Sequence, residues 1–174
     1  MKNLAAAILL CGAVGMPHKA LCDEQIVPLA QSGDWMAAEH TTSMTAPPDV
    51  CMAVDNEGDL AFRSDGTSVE IRSQNQSWSL PDGVQGTVEI IVNGNTYTFN
   101  IDSNTDKMID AEVDPSKVSP ILDDIAKASS LQMTIGKAKP ITVSLSGSAA
   151  ALNAFRTCAG ISGSAPGAGT NPFQ

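Results

Sequence analysis

Alternation between apolar and polar residues dominates the chain, and it is clearest in TVEIIVNGNTYTFNI at positions 87–101. Asn93-Gly94 is the pair that a two-residue type I′ turn prefers, because both of its central residues need positive φ. Folding the segment there sets Val92 opposite Asn95, Ile90 opposite Tyr97 and Val88 opposite Phe99. Val88, Ile90, Tyr97 and Phe99 then share one sheet face, while Glu89 and Thr98 pair on the other. The same two-residue period predicts strands from Asp34-Trp35 to about Thr41, in DVCMAVD (49–55), and in DLAFRS (59–64) and TSVEIRS (67–73) on either side of Ser64-Asp65-Gly66. Further strands are expected at Trp78 and Leu80, closed by Pro81-Asp82-Gly83, in MIDAEVD (108–114), and in SLQMTIG and PITVSLSG (130–136, 140–147). Residues 23–33 carry few periodic cues and read as a lead-in, and Pro47-Pro48 enforces an extended turn.

The period changes twice. Asp114-Pro115 places an N-cap before proline at the first helical position. Val118, Ile121, Leu122, Ile125 and Ala126 then recur at helical spacing, predicting an amphipathic helix of about 14 residues with one buried face. After Gly147, Ser148 is a candidate cap for a second helix, with Ala151, Leu152, Phe155 and Ala159 inward and Asn153 and Arg156 outward. The expected fold is mainly β (α+β): an antiparallel sheet or sandwich of about eight or nine strands with two helices. Its core is expected to hold Trp35, Val88, Ile90, Tyr97, Phe99, Ile121, Leu122, Ile125, Leu152 and Phe155.

Composition adds a compartment. MKNLAAAILLCGAVGM sets one lysine before an apolar run too short to span a membrane, the pattern of a Sec-type signal peptide. Ala20-Leu21-Cys22 offers a small-residue cleavage site, dividing the chain into a signal (1–22), one β-rich periplasmic or secreted domain (23–160) and a small-residue C-terminal tail (161–174). Leucine precedes both Cys11 and Cys22, where lipoprotein processing needs a small residue just before the cysteine. Cleavage leaves only Cys51 and Cys158, an even number suited to one disulfide that tethers the second helix. With aromatics at 4 % of the chain, such a staple has more to contribute. Loss of Lys2 and Lys19 leaves eight basic against 19 acidic residues, a formal charge of −11. That balance disfavours nucleic acid and anionic membranes, since phosphate binding needs clustered Lys and Arg.

Catalytic and metal chemistry lacks companions. His40 is the one histidine left after cleavage, without identified acid/base partners, and a Cys/His zinc site lacks ligands. Asp102, Asn104 and Asp106 match the first ligand positions of an EF-hand loop, but Lys107 stands where glycine is required and Val113 replaces the bidentate glutamate. Asp110 and Glu112 alternate along one strand, whereas glycosidase carboxylates flank a cleft from different segments. Trp35 and Trp78 have the chemistry to stack on sugars, but so few aromatics are wanted inside. The expectation is no catalytic residue, no cofactor and no metal.

Gly33-Asp34-Trp35, then VCMAV, a single amphipathic helix, and VSLSGSAAALNAF closing in RTC together resemble the invasion-associated locus B family and related small periplasmic proteins of proteobacteria, over roughly 33–159. The resemblance implies a β-rich envelope domain with no catalytic residues to carry over. The expected function is an exported, non-enzymatic accessory domain that binds an envelope protein through strand edges or its acidic surface. The alternatives are a periplasmic inhibitor or immunity protein occupying a cationic enzyme and, third, a weak hydrolase.

Overall fold

The computed structural model describes residues 25–43 and 45–162. Its strands are β1 (Gln25–Ser32), β2 (Trp35–Thr41), β3 (Val50–Asp55), β4 (Ala61–Ser64), β5 (Val69–Gln74), β6 (Gln85–Val92), β7 (Asn95–Thr105), β8 (Met108–Glu112), β9 (Ser130–Ile135) and β10 (Ile141–Ser144). Its helices are α1 (Pro115–Lys127) and α2 (Ser148–Cys158). The strands form one antiparallel sheet in the order β1-β2-β3-β4-β5-β8-β7-β6-β9-β10. The expected signal peptide and residues 163–174 of the expected tail lie outside the described residues.

The Asn93-Gly94 turn sets the register that the sequence requires. Both residues take positive φ, 50° and 80°, and Val92↔Asn95, Ile90↔Tyr97 and Val88↔Phe99 pair across it. Asp114 caps α1 as expected, its Oδ1 accepting the Ser116 N–H at 2.8 Å. Several boundaries differ. Residues 25–32, read as a lead-in, form edge strand β1, which among the described residues pairs with β2 alone. The stretch around Trp78 and Leu80 is a loop rather than a strand. Its backbone is held by the β7–β8 turn, with Asn75 N–H donating to Lys107 O and Leu80 N–H to Asp106 O, each at 3.0 Å. At α2 the capping position falls on Gly147 and not on Ser148, which starts the helix and donates its hydroxyl to Ile125 O at 3.2 Å. Arg156, expected outside, is 7 % exposed, because its guanidinium donates to Ser119 O and Asp123 Oδ1 on α1. Ile161 packs against the core at the start of the expected tail.

Both helices cover the inner face of the sheet. α2 lies on β1, β2 and β3, and α1 packs beside it. Leu152, Phe155, Ile121, Leu122 and Ile125 are fully buried, and the Phe155 ring meets Phe62 at 6.3 Å. Nine of the ten residues expected in the core are buried. The exception is Tyr97, half-buried because its hydroxyl reaches out to Asp124 Oδ2 at 2.7 Å. Burial and that bond together push the Tyr97 phenol up to about 12. Cys51 on β3 and Cys158 at the end of α2 form the disulfide, with Cα atoms 5.9 Å apart.

The two motifs that carry the family resemblance meet in space. Trp35 is fully buried and donates its indole N–H to Ser144 O at 2.8 Å, while the Asp34 N–H donates to Ser146 O. The β1–β2 turn and the β10–α2 link therefore lie back to back, closing the first strands against the last. Only glycine fits there: a Cβ on Gly147 (φ 86°) would fall 1.8 Å from Ser32 O, and one on Gly33 (φ 54°) 2.4 Å from Ser146 O. The glycines and tryptophan of the two motifs thus have a structural duty in this chain.

Candidate functional site

Strand register assigns each side chain of the sheet to the inner or the outer face. Opposite the buried Trp35–Ala37 and Cys51–Ala53 rows, the outer face of β1–β3 carries Ile26, Pro28, Met36, Ala38, Val50, Met52 and Val54. Ile26 is 75 % exposed and Leu29 37 % exposed, while Met36, Val50, Met52 and Val54 are half-buried. The equivalent face across β6, β7 and β9 presents Glu89, Thr96, Thr98, Asn100, Gln132 and Thr134, with Ile91 as its exposed apolar residue. The chain thus has an apolar, methionine-bearing outer half and a polar one. Pro28 and the register shift beside Leu29 interrupt the ladder on β1, so this surface offers side chains more than backbone hydrogen bonds.

Between the two halves runs a charge ladder. Arg63 and Arg72 both donate to Glu70 Oε2, at 3.3 and 2.8 Å, and Asp110 and Glu112 stand opposite Arg72 and Glu70 on β8. Asp110 and Glu112 are therefore outer-face residues of one strand with no cleft between them. Of the EF-hand-like residues, Asp102 lies within β7 opposite Gln85 and Asp110, and Asp106 lies in the turn beside Lys107. β7 runs on to Thr105, so Asp102 and Asn104 belong to a strand and not to a loop. Among the described residues, no three His, Cys, Asp or Glu side chains converge as a metal-binding group.

His40 has a partner that the sequence did not reveal. Its Nδ1 lies 2.6 Å from Asp49 Oδ1 across the β2–β3 connection, and this hydrogen bond holds the Asp49 carboxyl below the usual range. Pro47-Pro48 brings the two together by reversing the chain. The pair sits at the rim of the apolar outer face and lines none of the cavities described below.

A crevice of about 280 Å³ near the junction of β2, β3 and β10 collects Asp34, Asp55, Glu57 and Asp59 with Thr142 and Ser144. Burial pushes the Asp55 carboxyl above the ordinary range, although its Oδ1 accepts the Leu60 N–H at 2.9 Å. Asp34 Oδ2 accepts the Ser144 hydroxyl at 2.6 Å. Asp34 thereby serves the joint between the first and last strands, and Asp55 the β3–β4 connection. A larger and mainly apolar chamber, of about 390 Å³, opens at the end of the inner face away from α2, with Trp78 and Leu80 in its roof.

No family model matches the chain, and neither a curated protein nor a solved structure does. The site must therefore be read from its own chemistry.

Proposed function

We propose that this chain is an exported, non-enzymatic interaction domain of the cell envelope that docks a partner protein on the outer face of β1–β3. The observation that carries this reading is the exposed Ile26 and Leu29 continuing into Met36, Met52, Val50 and Val54. Contiguous exposed apolar surface marks interaction sites on exported and intracellular domains alike. Methionine adapts its unbranched side chain to a partner's contour, which suits docking by packing. The disulfide and the absence of a long apolar helix among the described residues are compatible with export. The family resemblance points to the same compartment.

A photo-crosslinking residue at position 26, introduced into the protein in its native envelope, tests the reading. The expected result is one discrete partner band that Met52→Glu weakens about tenfold or more, the scale of a hot-spot loss. Ile91→Asp, at the exposed apolar site on the polar half, is expected to leave the band intact. A band indifferent to Met52→Glu, or one consisting of a second copy of this chain, would overturn it. The inhibitor reading has the four-carboxylate crevice behind it. Recovery of a cationic enzyme whose capture is lost on Glu57→Gln/Asp59→Asn, and retained in Met52→Glu, would put that reading first.

A further inference from the structure

Along β5, β7, β8 and β9 the inner-face residues run from the helices to an uncovered end. On β5 they pass from Val69 to Ser73, on β7 from Phe99 to Ile101, on β8 from Ala111 to Ile109, and on β9 from Leu131 to Met133 and Ile135. The far members line the chamber of about 390 Å³, and the loop carrying Trp78 and Leu80 roofs it. That loop is anchored on its outer side: Lys107 Nζ donates to Trp78 O, and the Ser103 hydroxyl donates to Pro81 O at 3.2 Å. The roof is thus held in place by hydrogen bonds to the β7–β8 hairpin, and the space beneath it is left unfilled.

Two features distinguish this space from a packing defect. Its volume is roughly two and a half times the cavity of about 150 Å³ that stays dry and takes up benzene, which gives room for a chain of about ten carbons. Ser73 is 4 % exposed and lines the chamber, so it sets a hydroxyl, both donor and acceptor, into a mainly apolar wall. The lining is aliphatic, chiefly Ile101, Ile109, Met133 and Ile135, with one aromatic ring, which suits a flexible chain better than a stacked ring. Lys139 and Asp59 also reach the lining, so the polar end of a guest meets both signs of charge near solvent.

We propose that this chamber binds the acyl chain of an amphiphile, with an oxygen of its head group hydrogen-bonded to the Ser73 hydroxyl. The proposal is independent of the docking face, since the chamber is on the opposite side of the sheet.

Gly86 provides a direct test. It pairs with Ile101 on the chamber face, and a Cβ there would meet only Ile101, at an ordinary 3.7 Å. Gly86→Leu therefore fills the chamber without a backbone clash. Decanoate binding is measured by calorimetry, and flotation with zwitterionic phosphatidylcholine vesicles asks whether the chain is taken from a lipid instead. Saturable decanoate binding assigns a free amphiphile, and flotation without it assigns a lipid-borne chain. Either is expected to be abolished by Gly86→Leu at an unchanged Tm, and weakened about five- to tenfold by Ser73→Ala, the scale of one hydrogen bond. Trp78→Phe is expected to remove the ligand-induced change in tryptophan emission while calorimetric binding persists. If neither probe binds, or if Ser73→Ala and a folded Gly86→Leu bind as the wild type does, the proposal is overturned.

Discussion

Where α2 lies on the inner face of the sheet, side chains meet side chains: Leu152 and Phe155 are fully buried against β1–β3, and a disulfide fixes the helix end. At the opposite end the same face opens into a chamber whose roof residues, Trp78 and Leu80, are only half-buried. Element length explains the difference. The 11 residues of α2 and 13 of α1 span about 16 and 20 Å, while the 11 residues of β7 extend about 36 Å. Two short helices cannot cover strands of that reach. With few aromatic residues to fill the remainder, the chain closes it with a loop tied by backbone hydrogen bonds. One end is built for stability, and the other leaves space.

Removing the staple should affect the sealed end most. Cys51 and Cys158 enclose a separation of 107 residues, for which chain entropy gives about 4 to 5 kcal/mol, an upper figure for real bridges. Cys158→Ser is therefore expected to lower Tm under oxidising conditions and expose the segment after Gly147 to protease. Equal Tm with and without reductant would remove the staple from the account.

The next effect compares the ends directly. Phe155→Ala takes a fully buried ring away from Phe62 and should cost about 3 to 5 kcal/mol. Leu80→Ala trims a half-buried roof residue over space that is already open, and should cost less than about 1.5 kcal/mol. Urea unfolding of both variants checks the ranking. Similar losses would mean that the roof is packed as tightly as the helix.

The sealed end was far more legible than the open one. Asn93-Gly94 dictates its own φ values and so the pairing of β6 with β7, and Asp114-Pro115 marks the start of α1 through local chemistry. Cysteine pairing followed from arithmetic once the expected leader was set apart. Trp78 and Leu80 misled because alternation is shared by strands and by loops that drop two side chains into a pocket; the carbonyls and amides that hold this loop belong to residues 103–107, remote in sequence. Arg156 was hidden for a similar reason. Its helical position points outward from the sheet, and only the placement of α1 beside α2 turns that direction into an interior one. The apolar outer face was hidden as well, because β1 carries Pro28 and a register shift that blur its period, and the patch exists only when β1, β2 and β3 lie side by side. Asp49 as the partner of His40 depended on the reversal at Pro47-Pro48.

The smallest expected effect concerns the junction of the two ends, where the chain leaves β8, whose Ile109 lines the chamber, and enters α1. The Asp114 carboxylate accepts the Ser116 hydroxyl at 2.6 Å and its N–H at 2.8 Å, and these bonds, the hydroxyl first, hold the carboxyl below its ordinary value of 3.8. A folded-state pKa below the unfolded one means that the carboxylate stabilises the fold fully above the ordinary value, and that this contribution is lost as pH falls through the lowered one. Asp114→Ala is thus expected to lower Tm at pH 7 by less than either substitution in the core or staple, since the group is exposed. The gap to wild type should narrow as pH drops below about 4. Asp114→Asn, whose amide oxygen can accept the same bonds, should keep most of the Tm at pH 7 and lose the pH dependence. A Tm gap between Asp114→Ala and wild type that stays constant from pH 7 to pH 3 would show that the start of α1 is held by its packing on α2 and not by its cap.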